Sequence, residues 1–385
     1  MSSSAPSWRP LTPAERAVAI EVLTNGPSPR SVIARRLGMS GGSLTRLAKP
    51  LIDSGLLLEV HAPSAAVAGL GRPGRPLDIV TDPWHFVGLK VTGDTVYGVV
   101  TTLKSTVVRR EDRELKSQDP EVVADAAHSI VRSFAVDFPQ LAGIGVGMGG
   151  PVRDRAVIVD SPYLDWQDVP FAELLERRTD LPVVLENDVA ALVESETWFG
   201  AGRGTDRFAV LTIGAGIGYR LVIGGEPVPS PDSWQETGDH WILDPNGPLT
   251  PHGRRGSATS LLSIPSIEYQ MHAATGRPVD YEEILDLARK QHPAATRIID
   301  EAARGLGILI AQIANFALPE KILLAGEGVG LVDVAGHIVH DTVAAHRPPL
   351  APPVNLETKI SDFHDWARGA AVLAIQVLVL GHTDD

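Results

Sequence analysis

Along the first eighty residues the apolar positions mark three short helices and a pair of strands. Thr12-Pro13 supplies an N-cap with proline at the first helical position, and Ala17, Ile20, Val22 and Leu23 form an apolar stripe that Asn25-Gly26-Pro27 stops. Ser28-Pro29 opens a second helix with Val32, Ile33, Ala34 and Leu37 on its apolar face, and Gly38 turns the chain. Ser40 caps a third helix, which carries Leu44, Leu47, Leu51 and Ile52 and ends at Gly55. Pro50 should bend that helix, because proline removes a backbone donor and crowds the turn before it. Residues 56–60 and 77–80 read as two strands, with Gly71-Arg-Pro-Gly-Arg-Pro76 between them.

From residue 86 the pattern changes. Residues 86–91 and 95–101 are β-rich runs around the hairpin signal Thr92-Gly93-Asp94. Residues 122–134 have helical spacing, and a buried strand starting at Leu141 runs into the glycine loop that ends at Gly150-Pro151. A helix over 171–178 precedes a strand over 181–185 that ends at Glu186-Asn187-Asp188, and a helix over 189–199 follows. The strand over 208–213 ends in Gly214-Ala-Gly-Ile-Gly218. A helix over 303–318, a strand and glycine turn over 321–328 and an apolar helix over 367–380 complete the chain. Alternating strands and helices predict an α/β fold, and glycine loops at strand ends are where such folds bind ligands.

The 385 residues suffice for two or three domains, and 44% apolar with 21% charged residues is ordinary globular usage. There is no cysteine, which excludes disulfides, thiolate metal sites and a cysteine nucleophile. The start of the chain has no apolar signal core, and the longest apolar stretches are too short to span a bilayer, so a cytoplasmic protein with no membrane partner is expected. The net charge of −13 argues at first against nucleic acid. Its distribution argues the opposite: residues 1–80 hold nine Lys/Arg against five Asp/Glu, a net +4, leaving −17 on the remainder. A basic segment on an acidic body suggests a nucleic-acid-binding part.

Helix, tight glycine turn, helix is the helix-turn-helix pattern, and two strands beyond it make a wing. The third helix would enter the major groove of double-stranded DNA by its N-terminal residues, presenting Ser40, Gly42, Ser43, Thr45 and Arg46. Arg30 and Lys49 are placed for phosphates, and Arg72 and Arg75 form a thin cationic wing tip suited to a narrow minor groove. The alternative reading is a small three-helix dimerisation or linker module with a solvated basic loop.

Gly145-Val-Gly-Met-Gly-Gly-Pro-Val152, Tyr163-Leu-Asp-Trp166, Leu181-Pro-Val-Val-Leu-Glu-Asn-Asp188, Trp198-Phe-Gly-Ala-Gly202 and Gly214-Ala-Gly-Ile-Gly218 resemble successive blocks of the ROK family of repressors, open reading frames and kinases. The resemblance implies an N-terminal winged helix-turn-helix over 1–80, then a two-lobed actin-like ATPase/sugar-kinase fold around a cleft. Lobe 1 would be 81–188 plus 366–385, and lobe 2 would be 189–365. Asn187 and Asp188 match the family's sugar-contacting Asn and its general base. Asp188 would equally suit the start of a helix. With Gly150, Glu236 and His240 they form the implied ligand-binding set.

Four departures alter what the resemblance implies. The family's phosphate hairpin, Asp-x-Gly-Gly-Thr, stands here as Lys90-Val-Thr-Gly-Asp94, so a carboxylate has become a cation and a hydroxyl an anion. Ala215 replaces the usual Thr of the second glycine loop, and Glu327 intrudes on the adenosine-side loop. The family's zinc cysteines are replaced by Thr250, His252 and Ser257, so hydrogen bonds or packing must hold that loop. The expectation is a DNA-binding regulator, a homodimer or homotetramer that senses a sugar or other metabolite, with no catalytic residue, no metal and no cofactor. The alternatives are a sugar kinase with a DNA-binding appendage and an effector-independent DNA-binding protein.

Overall fold

The computed structural model describes residues 8–60, 75–229, 237–250, 253–359 and 362–381. The chain divides into two units, residues 1–195 with 363–385, and residues 196–362.

The first unit opens with α1 (Pro13–Asn25), α2 (Arg30–Arg36) and α3 (Gly41–Asp53), followed by β1 (Leu57–Glu59) and β2 (Leu77–Ile79), paired antiparallel. The α1 start is a capping box: the Thr12 hydroxyl accepts from Glu15 N and Glu15 Oε2 accepts from Thr12 N. The buried face of α1 is Val18, Ala19, Val22 and Leu23. Ala17 and Ile20, expected on it, are only half-buried. The run from Ala17 to Leu23 is apolar on nearly every side, so its periodicity does not select the face; packing against α2 and α3, whose buried residues include Ile33, Leu44, Ala48 and Leu51, does. Pro50 does not interrupt the helix, and α3 runs through it to Asp53. Pro50 sits in the last turn, where Ser54 N still reaches its carbonyl at 3.0 Å, so one ladder bond alone is missing.

Next come β3 (His85–Val91), β4 (Thr95–Thr102), β5 (Val107–Glu114), α4 (Pro120–Asp137) and β6 (Leu141–Met148). After the small sheet β7 (Val152–Arg153), β8 (Val157–Ser161) and β9 (Trp166–Val169) come α5 (Phe171–Thr179), β10 (Val183–Asn187) and α6 (Asp188–Phe199). The main sheet has the order β10-β6-β3-β4-β5, with β3, β6 and β10 parallel. Asn187 and Asp188 therefore stand where β10 hands over to α6.

The second unit contains β11 (Arg207–Ile213), β12 (Ile217–Ile223), β13 (Glu226–Pro227), α7 (Ala258–Leu262), α8 (Ile264–Thr275), α9 (Tyr281–Arg289), α10 (Pro293–Phe316), β14 (Lys321–Ala325), α11 (Leu331–Ala345) and β15 (Leu356–Lys359). Its sheet order is β13-β12-β11-β14-β15, with β11, β14 and β15 parallel. Buried α10 residues such as Ile298, Leu306 and Ile310 fill its core.

The last helix, α12 (Phe363–Leu378), belongs to the first unit. It lies so close to the sheet that a Cβ on Gly88 would stand 1.9 Å from Ala367 O, and one on Gly145 1.8 Å from Ala370 O. Glycine is the only residue that permits this approach. Beyond the helix, Leu380 O accepts a hydrogen bond from Arg16 Nε of α1 at 2.9 Å, which ties α12 to the N-terminal helices.

Candidate functional site

Ser40 caps α3, its hydroxyl accepting from Ser43 N at 3.1 Å, and Thr45 Oγ1 donates to Gly41 O at 2.9 Å. Leu44, Ala48 and Leu51 face inward, and Ser40, Gly42, Thr45, Arg46 and Lys49 are exposed. Arg46 and Lys49 have no ion-pair partner among the described residues. Arg30 differs: its guanidinium donates to Glu59 Oε1 at 2.7 Å, and Arg75 lies 3.9 Å from the same carboxylate. Glu59, on β1, thus competes with phosphate for both. Arg72 lies outside the described residues.

In the first unit, Lys90 and Asp188 form an ion pair, with side chains 8% and 15% exposed. Lys90 Nζ also stands 5.5 Å from the ring centre of Trp366 in α12, a cation–π distance. Lys90 points inward from β3 and holds the carboxylate that resembles the family's base. Asp188 Oδ1 takes Val189 N at 2.8 Å. Asn187 caps α6 as well, its Oδ1 accepting from Val189 N and Ala190 N, and its Nδ2 donates to Gly150 O at 3.2 Å. Gly150 has φ +107°, and a Cβ there would stand 1.9 Å from Asp160 O, so the loop closes only with glycine. The Asp94 carboxylate accepts from Thr92 Oγ1 at 2.8 Å and so stays in its own hairpin turn.

In the second unit, Glu327 lies against the second glycine loop: a Cβ on Gly214 would be 2.4 Å from Glu327 Oε1. A carboxylate there opposes a polyphosphate. His240 is exposed, and Arg254 Nη1 donates to its Nδ1 at 3.1 Å. Of the three residues at the family's cysteine positions, two are staples. The buried Thr250 Oγ1 accepts from Arg254 N at 3.0 Å, and the buried Ser257 Oγ caps α7 by accepting from Ser260 N at 3.1 Å. Bridges Ile242–Ser257 and Leu249–Arg255 complete the loop. These hydrogen bonds and bridges hold the described part of the loop, two of them at positions where the family's pattern has cysteines. Glu236 and His252 lie outside the described residues. Among the described residues no group of three His, Asp or Glu side chains could hold a metal ion.

Sequence reasoning missed Glu59 beside Arg30, Trp366 beneath Lys90 and Arg254 beside His240. None carries a local signal, since each partner is brought in from another element.

The architecture is a winged helix-turn-helix on an α/β body of sugar-kinase fold. Residues 86–377 match the model of the ROK family, and the chain belongs to that family. It is 24% identical over 310 residues to a xylose repressor of Bacillus spizizenii, covering 79% of each chain. It is 23% identical over 364 residues to the DNA-binding transcriptional repressor Mlc of Escherichia coli, covering 90% of this chain and 89% of Mlc. Kinases match as well: a glucokinase of Thermotoga maritima is 28% identical over 261 residues, 62% of this chain and 82% of the kinase. In fold, the crystal structure of a ROK family transcriptional regulator, a homolog of E. coli Mlc, superposes with a TM-score of 0.78, 21% identity and 96% coverage of both chains. Among the described residues no helix is long and apolar enough to cross a membrane.

Proposed function

We propose that this chain is a transcriptional repressor that binds double-stranded DNA as a homodimer or homotetramer and responds to a sugar or related metabolite. The observation that carries the DNA half is the α3 surface: a capped helix start with small hydroxyl residues and two cations that have no ion-pair partner among the described residues. That is the arrangement a major-groove reader needs. Ser40, Gly42, Ser43, Thr45 and Arg46 take the base edges, and Arg30, Lys49, Arg72 and Arg75 the backbone or the minor groove.

The body binds rather than phosphorylates. Phosphoryl transfer needs a free base, magnesium ligands and a phosphate cradle. Here Lys90 occupies the base position's carboxylate, and Glu327 puts negative charge at the second glycine loop. We assign ligand contact to Gly150, Asn187 and Asp188 in the first unit and to Glu236 and His240 in the second. A ligand hydroxyl that donates to Asp188 would weaken its hold on Lys90. Lys90 touches Trp366 of α12, and the chain end beyond α12 holds Arg16 of α1, so a physical route runs from Asp188 to the winged domain. Ligand shifts the population of DNA-binding states only through different affinities for them.

Mapping of bound genomic sites, followed by operator titration with the sugars that the neighbouring genes handle, tests this reading. Saturable operator binding that a sugar weakens supports it. Coupled ATPase turnover with glucose or xylose, or the absence of any specific DNA site, overturns it.

A further inference from the structure

We infer that the second unit carries a separate site for a small amphipathic carboxylate, between α11 and the proline-rich segment Arg347-Pro-Pro-Leu-Ala-Pro-Pro-Val354. Gly336, Val339 and Val343, at spacings of three and four, share one face of α11 beyond its kink at Ala335, and Val332, just before the kink, lines the same cavity. That face, with Ile310 of α10 and Leu356 of β15, encloses a cavity of about 280 Å³. The opposite wall is built from prolines, which fix φ and carry no N–H, and is closed by a turn in which Ala351 N donates to Pro348 O at 2.9 Å. Such a wall is preorganised and offers a ligand few backbone donors.

Two polar side chains line the cavity, His340 and Arg347; His340 is largely exposed and lies 3.6 Å from Asp341, so Arg347 decides the ligand's chemistry. It lines the cavity, and its Nε is buried with no hydrogen-bond partner in the structure. Native chains rarely leave a buried donor unmatched, so this one calls for an acceptor from outside. Guanidinium with apolar walls selects an anion with an apolar body, and the planar fork matches a carboxylate. Sugars are excluded, because their hydroxyls would be buried against valine and proline without partners. The volume lies just below the roughly 300 Å³ at which drug-sized sites begin, which suits a small ligand better than a nucleotide.

Calorimetric titration of the full chain with octanoate, and with octan-1-ol as the neutral control, tests the site. Octanoate should bind saturably, and octanol about tenfold more weakly or worse. Arg347→Gln should lower octanoate affinity by about tenfold or more. Gly336→Leu should abolish it: a Cβ there meets only Val332 Cγ1, at 3.5 Å, so the helix tolerates the side chain and the cavity is filled. An unchanged melting temperature in both variants shows that the fold is intact. No octanoate binding, equal binding of octanol, or undiminished binding in Gly336→Leu would overturn the proposal. So would a change of oligomeric state in Gly336→Leu without octanoate binding to the parent chain, which would make the groove a contact between copies.

Discussion

Two cationic sites of the first unit serve opposite ends. On α3, Arg46 and Lys49 are exposed and have no ion-pair partner among the described residues. On β3, Lys90 is buried, paired with Asp188 and set over Trp366. The N-terminal helices show the same division internally, since Arg9, Arg30 and Arg36 are held by Glu15, Glu59 and Glu21. Among the described residues of this segment Arg16, Arg35, Arg46 and Lys49 form no ion pair, and the net +4 does not show that two of them, Arg46 and Lys49, lie together on the exposed side of α3. Polyanion binding depends on cations that can replace condensed counterions, and a cation inside an ion pair contributes little to that exchange. Position, not charge count, separates a reading surface from an internal lock.

The largest expected effect is on the lock. Lys90→Met leaves Asp188 mostly buried without its partner and should lower unfolding free energy by about 3 kcal/mol in urea titration. Lys90→Met combined with Asp188→Leu should recover much of that loss, because no uncompensated charge remains. Operator affinity of the folded protein should shift in the direction in which the sugar shifts the parent's, with base specificity unchanged. Arg46→Ala should behave inversely, with stability within about 0.5 kcal/mol of the parent. Its operator affinity should fall by about 1–3 kcal/mol, with specificity relaxed at the base pair it reads. If Lys90→Met also relaxed base specificity as Arg46→Ala does, the separation of lock from reader would fail.

How far these roles could be read in advance depended on whether they are local. The α3 cap, its apolar positions and its exposed cations all lie within one short segment, so spacing alone placed them. The β10–α6 junction at Asn187-Asp188 was equally legible, as a strand pattern that ends in a capping pair. The partner of Lys90 was not, because residues 90 and 188 meet only when β3 and β10 join the same sheet through β6. β5 escaped notice for a different reason: Val-Val-Arg-Arg-Glu-Asp-Arg-Glu has little apolar alternation, being an exposed edge strand protected by charge. The hairpins and helices between Ile217 and Arg289 were missed because their apolar stretches are short and interrupted by glycine and proline.

A smaller effect sharpens the contrast inside the second unit, where hydroxyls replace metal ligands. Ser257→Ala removes the cap of α7 at a buried position and should cost about 1 kcal/mol. Incubation with a chelator should leave the melting temperature of the parent chain unchanged, since the loop is closed by Thr250, Ser257 and backbone bridges. A drop of several degrees on chelation would return a structural metal to this loop.

The smallest effect concerns an ion pair that lies between lock and reader, exposed on one side and buried on the other. Arg9 donates to the Glu15 carboxylate, Thr12 N adds a second donor, and together they hold the Glu15 carboxyl at about 2, well below the ordinary carboxylate range. A carboxyl depressed in the folded state stabilises fully above its unfolded pKa of about 4, and that contribution disappears as pH falls toward 2. Glu15→Gln should therefore cost about 0.5 kcal/mol at neutral pH, because Arg9 is exposed and the neutral amide keeps part of the cap. The gap between parent and variant should close as pH is lowered from about 5 to about 2. Amide exchange along α1 is the suited measurement, as it reports the cap directly. A gap that stayed constant across that range would mean that the helix start is held by packing of Val18 and Val22 rather than by the charged cap.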